Sequence, residues 1–266
     1  EVKYCYVLGR RNIYTKMHTS TKYQSASSNV TPLGSVVPKQ LVEDTTKALS
    51  KLKVALGGDV SGYVACRLHM NMSELNDALA AEQVDGVALA MYNIEKRAQS
   101  VIIGDQTGIG KGRQAAAMIR YGLLSGYLPV FFTDRYTLFS DMYRDCKALG
   151  IKDARPLVVN AGASVVDFDH IIEEKGKEVP DEIWSPMSEE EEEDAKFEAE
   201  LMQLYQKQYE VVFKAPKKNV LQGLFEVGDI PSEAFDYLMI TYSQLKDAKR
   251  DATRLNFLHS LCEKHR

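Results

Sequence analysis

The chain has 266 residues, 45% of them hydrophobic and 26% charged, an ordinary balance for a soluble globular protein with one large core or two modest ones. Its net charge of −4 gives no global basic footprint, so any nucleic-acid contact must come from a local patch. The four cysteines, Cys5, Cys66, Cys146 and Cys262, lie far apart with no CxxC pair and no histidine at ligand spacing, which argues against a zinc site or disulfide scaffold and favours a reducing, cytoplasmic setting.

No segment reaches the roughly 18 to 20 apolar residues of a membrane span, and no membrane partner is expected. The start, "EVKYCYVLGRR", has neither Met nor a signal-peptide pattern, and the expectation is a chain that begins inside a longer polypeptide. Residues 1–58 are polar and broken by Pro, Gly and Ser, and read as an extended arm followed by a short amphipathic helix in "LVEDTTKALSKLK". From Ser73 the segment "SELNDALAAEQVDGVALAMYNIEKR" predicts one helix. Val84, Val87, Ala88, Met91 and Ile94 form its buried face.

Beyond it, short apolar runs alternate with helical segments: strand "SVIIG", helix "KGRQAAAMIRYGLLSG", strand "PVFFT", helix "LFSDMYRDCKALG" and strand "RPLVV". Gly126 and Gly150 stand where helix C-terminal glycines belong. This rhythm predicts an α/β fold with a mostly parallel sheet, right-handed crossovers and strands apolar throughout because both faces are covered. Residues from about 164 to 215 interrupt it as an acidic helical insertion, with a Ser188/Glu191 capping box and Phe197, Leu201, Leu204, Tyr205 and Val212 on one face. The acidic run reads as a solvated first turn or as a partner-binding, DNA-mimicking tail. The sheet resumes at "DYLMITYSQL", and a last helix follows near residues 250–264.

The chemistry concentrates in "IIGDQTGIGKGR", a strand, a glycine-rich loop and a helix start in immediate succession. Backbone N–H groups and a helix N-terminus aimed at one small volume attract an anion. Gly108 and Gly110 allow close backbone approach, and Lys111 reaches terminal phosphates as a point charge. This is the P-loop order with two departures: Asp105 holds the place of the first glycine, and Gly112 that of the Ser or Thr that contacts Mg²⁺. Magnesium must then be held by phosphate, water and an acidic residue elsewhere, with Thr107 placed to help. No side chain is assigned as its ligand. The bland alternative is a glycine-rich connector, which has no need for a lysine between glycines at a helix start.

The blocks "GDQTGIGKGRQAA", "EQVDGVALAMYN", "PVFFTDRYTLFSDMYRDCKALGI", "FDYLMITYSQL" and "YQSASSNVTPLGSVVPKQL", in this order across most of the chain, resemble the N-terminal RecA-like lobe of the strawberry notch family. That family also includes phage and plasmid helicase-like proteins of the defence-against-restriction type, within superfamily two of helicases. The resemblance implies a three-layer RecA-like P-loop NTPase lobe over residues 59–266, preceded by an arm and short helix over 1–58, and the glycine after Lys111 fits this family's own loop. It implies ATP and Mg²⁺ as cofactors. Asp105, Gln106, Thr107, Gly108, Ile109, Gly110, Lys111, Gly112 and Arg113 line the phosphates, with Lys111 the catalytic group.

Gln83 resembles the glutamine that reads the adenine edge, its alternative being a solvent-facing helix residue. Arg113 stacks on adenine, sits on a phosphate or is an exposed first-turn arginine. Thr133 and Arg135 fall where such motors touch a nucleic-acid backbone, and Leu138, Phe139, Met142 and Tyr143 read as core. Thr241 and Ser243 either touch that backbone too or cap the strand end. The implied partners are DNA or RNA and a second RecA-like lobe, in host cytoplasm, virion or nucleus according to source. No "DEAH"-like block occurs before Arg266, so hydrolysis and strand movement are expected of a longer protein. The rival class is a non-catalytic nucleotide-binding scaffold; a small-molecule P-loop kinase is a third, against which the Gln83 and "TYSQL" blocks weigh.

Overall fold

The computed structural model describes residues 20–104, 108–172, 191–245 and 253–264, and of 191–195 the backbone only. The division between two compact units falls between Lys111 and Gly112.

In the first unit, strands β1 (Ser20–Lys22) and β2 (Val36–Pro38) pair antiparallel, and α1 (Lys39–Ala55) follows directly. Helices α2 (Val60–Arg67), α3 (Met72–Ala78) and α4 (Ala81–Arg97) complete it. The expected single helix from Ser73 is thus two. It starts one residue earlier, at Met72, where Asn71 and Glu74 cap each other at 2.8 and 3.0 Å, and it breaks at Leu79 and Ala80, whose backbones are extended. No glycine or proline marks the break. It is held by the Gln83 side chain, which accepts the Ala80 N–H at 2.9 Å as α4 begins.

The predicted face of α4 is the core: Val84, Val87, Ala88 and Met91 are wholly buried, and only Ile94 at its end is exposed. Arg67 of α2 forks onto Glu95 of α4 with contacts of 2.8 and 3.0 Å.

The arm is not loose where it is described. Asp85, fully buried, accepts from the Tyr23 hydroxyl at 3.0 Å, from the backbone of Ala26 and Ser27 at 2.9 and 3.1 Å, and from the Ser27 hydroxyl at 2.7 Å. One turn away, Glu82 accepts the N–H groups of Leu33, Gly34 and Ser35. Burial works to raise the Glu82 pKa, but these donors outweigh it and hold the carboxyl below its usual range. Residues 23–35 lack regular structure because two carboxylates supply the hydrogen bonds that a strand partner would otherwise give.

In the second unit, α5 (Lys111–Leu124, its first residue on the near side of the division) leads into β3 (Val130–Thr133), α6 (Leu138–Ala148) and β4 (Pro156–Val158). Gly126 and Gly150 take positive φ of 75° and 73°, as helix-terminating glycines do. Then come β5 (Ser164–Ile171), α7 (Glu191–Gln208), β6 (Tyr209–Lys214), α8 (Lys218–Val227), β7 (Tyr237–Thr241), a 3-10 turn (Tyr242–Leu245) and α9 (Thr253–Lys264). The parallel sheet runs β3-β7-β4, with Val130 opposite Leu238 and Leu157 opposite Leu238 from the other side.

Every residue of central β7 is buried, and its side chains alternate between two helical layers. Leu238 and Ile240 join Leu221, Phe225, Phe257 and Leu261 of α8 and α9. Tyr237 faces the other way and bonds the Cys146 thiol of α6, while Phe131 meets Phe139 of α6 edge-on at 6.5 Å. The unit is the α/β, three-layer arrangement with a parallel sheet that the alternation predicts. Phe139, Met142 and Tyr143 are core as expected; Leu138 is 41% exposed and is not.

Two further expectations fail. "SVIIG" forms no strand: Val101–Gly104 pairs with no described strand, and Ile102 is 95% exposed. An apolar run becomes a strand only through a partner's hydrogen bonds, which its own composition cannot specify.

The insertion, in turn, is not helix alone. β5 and β6 form an antiparallel pair, Ser164 opposite Lys214, that packs on α6, and Val212 lies on β6 rather than on the helix. Its helix α7 buries Met202 and sets Tyr205 edge-on to Phe168 of β5 at 5.2 Å. Ser188 of the expected capping box lies outside the described residues, as does the Glu191 side chain.

The hairpin is fastened to α6 by Lys147, whose ammonium lies 2.6 and 2.8 Å from the Asp167 oxygens and 2.5 Å from Asp169. Burial pushes the Asp167 carboxyl up and the Lys147 ammonium down, but their hydrogen-bonded pairing wins in both, leaving Asp167 below and Lys147 above its ordinary range. The pair therefore stabilises the fold fully above the unfolded carboxylate pKa and below the unfolded lysine pKa. Its contribution is lost as pH falls through the depressed Asp167 value or rises through the raised Lys147 value. Lys147→Met should lower stability at pH 7 by on the order of 2 kcal/mol, less than a fully buried pair because water still reaches the lysine. In urea unfolding the gap between variant and wild type should close at strongly acidic pH. A gap that stays constant with pH means the pair is not the fastening.

Candidate functional site

The end of the glycine-rich loop is built in the first unit. Gly108 and Gly110 take φ of 92° and 79°, backbone conformations strained for any L side chain, and Lys111 is the exposed first residue of α5. Gln83 fixes this turn from α4: its amide donates to the Ile109 carbonyl at 2.8 Å and the Gly110 carbonyl at 3.4 Å, while its oxygen accepts from Ala80. At 7% exposure it is not the solvent-facing residue of the bland alternative. With Glu82 and Asp85 on the arm and Gln83 on the loop, the first turn of α4 holds both. An apolar cleft of about 410 Å³ borders the loop, lined by Val36, Pro38, Leu41, Leu89, Ile103 and Ile109 among others.

The residue after Lys111 belongs to the second unit. A Cβ built on Gly112 would lie 2.1 Å from Asp145 Oδ2 of α6, so a serine or threonine here would collide with a buried carboxylate. The same carboxylate accepts from Arg113 Nε through its other oxygen, Oδ1, at 3.1 Å. Arg113 is therefore paired and only part-exposed, not the free first-turn arginine of the third alternative. Nothing in the sequence marks Asp145 as the neighbour of Gly112 and Arg113. Its only signal is that a glycine replaces a side chain and something must fill the space. Asp105, Gln106 and Thr107 lie outside the described residues.

At the C-terminal edge of the parallel sheet, where ligands of α/β proteins commonly bind, the register sets Thr133 opposite Thr241. Both are buried, at 7% and 1% exposure. The Thr241 hydroxyl accepts from Asn160 Nδ2 at 2.6 Å and shares a hydrogen with Ser243 Oγ at 2.7 Å, while its N–H donates to Asn160 Oδ1 at 3.1 Å. Strand-end bonding thus engages Thr241, and Ser243 is the exposed hydroxyl of the two. Asn160, just past β4, ties the edge together and was not singled out in the sequence. Arg135 stands partly exposed, 4.0 Å from Asp134. Close by, Glu198 of α7 accepts the Thr137 N–H at 3.0 Å at the start of α6; burial pushes its carboxyl up against the pull of Thr137.

A left-handed glycine turn that ends in a lysine at a helix start, within an α/β protein with a parallel sheet, defines a P-loop NTP hydrolase. The chain belongs to the family described as P-loop containing NTP hydrolase pore-1, whose model matches residues 38–266. No curated protein and no solved structure matches it. Among the described residues, no helix is long and apolar enough to cross a membrane, and no group of three or more His, Cys, Asp or Glu is placed to hold a metal ion.

The Gly112 contact is testable without any ligand. Gly112→Ala should destabilise the protein by about 1 to 3 kcal/mol through overpacking. Removing the opposing carboxylate should relieve that cost, so Gly112→Ala with Asp145→Ala in urea unfolding should be less damaging than the two single changes summed. Strict additivity would show that the two positions do not touch.

Proposed function

We propose that the chain grips ATP as the first RecA-like lobe of a superfamily-two DNA or RNA motor of the strawberry notch and phage anti-restriction kind. The observation that carries this reading is the loop itself: Gly108 and Gly110 in left-handed turns, buttressed by Gln83, delivering Lys111 to the first turn of α5. Exposed backbone N–H groups of such a loop favour phosphate oxygens, and the lysine stabilises charge on the transferred phosphoryl group. Asp105, Gln106 and Thr107 complete the loop by sequence. The apolar cleft beside Ile109 is large enough for a purine base, and adenine packed there would leave Gln83 to brace the loop from α4.

Nucleic acid lies along the sheet edge, where Arg135 and the exposed Ser243 offer a guanidinium and a hydroxyl to backbone phosphates, above the buried Thr133 and Thr241. A bound magnesium would neutralise charge between the terminal phosphates. The acid that orients water and the arginine finger come from chain outside these residues and from a second lobe, so that closure of two lobes on ATP moves the strand.

Lys111→Ala in the full-length protein should lower nucleic-acid-stimulated ATP hydrolysis by a factor of about 100 or more, the scale of losing one transition-state donor. Phosphate release with and without DNA or RNA measures it. Turnover unchanged by the substitution ends the proposal. ATP binding with no stimulation by either nucleic acid would instead favour a nucleotide-binding scaffold.

A further inference from the structure

A second cleft of the first unit, of about 500 Å³, lies where α1 meets α4. Its walls carry Asp44, Lys47 and Lys51 from α1 and Tyr92, Asn93 and Arg97 from α4. Lys47 and Lys51 stand one helical turn apart, about 6 Å along the axis, and Arg97 belongs to the last turn of α4. The Arg97 guanidinium lies 5.7 Å from the centre of the half-buried Tyr92 ring, which holds it at the cleft wall. Among the described residues, none of the three cations forms an ion pair. The chain has 37 acidic residues against 33 Lys and Arg, so partners are plentiful, yet this cleft gathers three cations and a single carboxylate, Asp44. Like charges one turn apart weaken a helix, and a concave wall concentrates their field on whatever enters.

We propose that this cleft anchors a single nucleic-acid strand, its backbone phosphates lying along Lys47 and Lys51 with Arg97 on the other helix. The proposal rests on the nucleic-acid partner of the reading above and goes beyond it. That reading places the strand on the sheet of the second unit; this one adds a grip on the first unit that needs no ATP. The repeat of two lysines suits successive phosphates, where a lone small anion would leave one ammonium unused. A guanidinium forks onto phosphate oxygens and an ammonium meets them as a point charge, while the half-buried Asn93 amide adds an N–H donor. A cleft of this volume takes a nucleotide-sized group at a time, which suits one strand rather than a duplex. Basic grooves with an aromatic side chain hold single strands without reading sequence, so the contact is sequence-independent and fades with salt. Asp44 opposes the bound phosphates and moderates the grip.

The test is equilibrium binding of a fluorescent oligothymidylate to the full-length protein without nucleotide, followed by anisotropy across a salt series. Lys47→Ala with Lys51→Ala removes two phosphate contacts at exposed helix positions, where alanine is well tolerated. Each contact to a single strand contributes about 0.7 to the slope of log affinity against log salt, so the slope should fall by about 1.4. With the two lines meeting at about 1 M salt, binding at about 0.1 M weakens about 25-fold. Asp44→Asn, which removes charge and keeps volume, should tighten binding severalfold at low salt, and it decides the matter even where the lysine pair destabilises α1. An unchanged slope in the lysine pair, or no effect of Asp44→Asn, overturns the proposal. So does an oligoglutamate of equal charge that displaces the probe as readily as unlabelled oligothymidylate, which marks a surface for acidic proteins. If the lysine pair leaves the slope intact while Arg135→Ala lowers it, this site alone falls and the sheet-edge reading stands. A wild type that binds no strand at any salt removes both.

Discussion

The first unit depends on a single turn of helix whose polar side chains are all turned inward. Glu82, Gln83 and Asp85 would be expensive to bury without partners, each on the order of several kcal/mol, and in α4 each is supplied with donors or acceptors from a different part of the chain. The carboxylates take up an irregular arm. The amide takes up the glycine turn. Because these groups sit within one turn of a rigid helix, arm and loop are positioned by the same few ångströms of backbone. A disturbance at Ser27 or Leu33 is therefore felt on the element that braces Ile109.

This arrangement also explains what the sequence could and could not disclose. The periodic apolar face of α4 predicts its core side, since burial of Val84, Val87, Ala88 and Met91 follows from spacing alone. The alternation of strands and helices after residue 111 predicts the three-layer sheet because buried parallel strands are apolar on both sides, as β7 is. The helix-ending glycines were legible for a similar reason: their positive φ leaves few other residues. What stayed hidden were the contacts between residues far apart in sequence. Glu82 and Asp85 look like the polar side of an amphipathic helix until the arm is folded over them. "SVVDFDHI" carries the strand formers Val165, Val166 and Phe168 but breaks strict alternation, and with acidic residues around it reads as part of a helical insertion. "SVIIG" shows the opposite error, since strand composition without a partner yields no strand.

At the candidate site the local part was readable and the tertiary part was not. The loop glycines, Lys111 and Gln83 announce themselves by type and order. Asp145 sits in a helix that reads as an ordinary amphipathic segment, and only the missing side chain at Gly112 hints that another group fills its space. The runs "PVFFT" and "DYLMIT" mark Thr133 and Thr241 as strand ends, and the register sets them side by side. Their burial depends on Asn160 and the following turn, which no spacing rule foretells.

The insertion between β4 and α8 has a property that follows from how its ends meet. Ser164 pairs with Lys214, and Ala215 donates to the Ala163 carbonyl at 2.9 Å, so the chain leaves the sheet and returns to it through one zipped base. The entropy of closing the excursion is met at that base, and beyond it extra length adds only logarithmically to the cost. The segment behaves as a graft on a fixed stem. Residues can be added or removed at its far end while the strands that carry the candidate site keep their register, which makes this stem the place where members of such a fold can diverge without rebuilding their sheet.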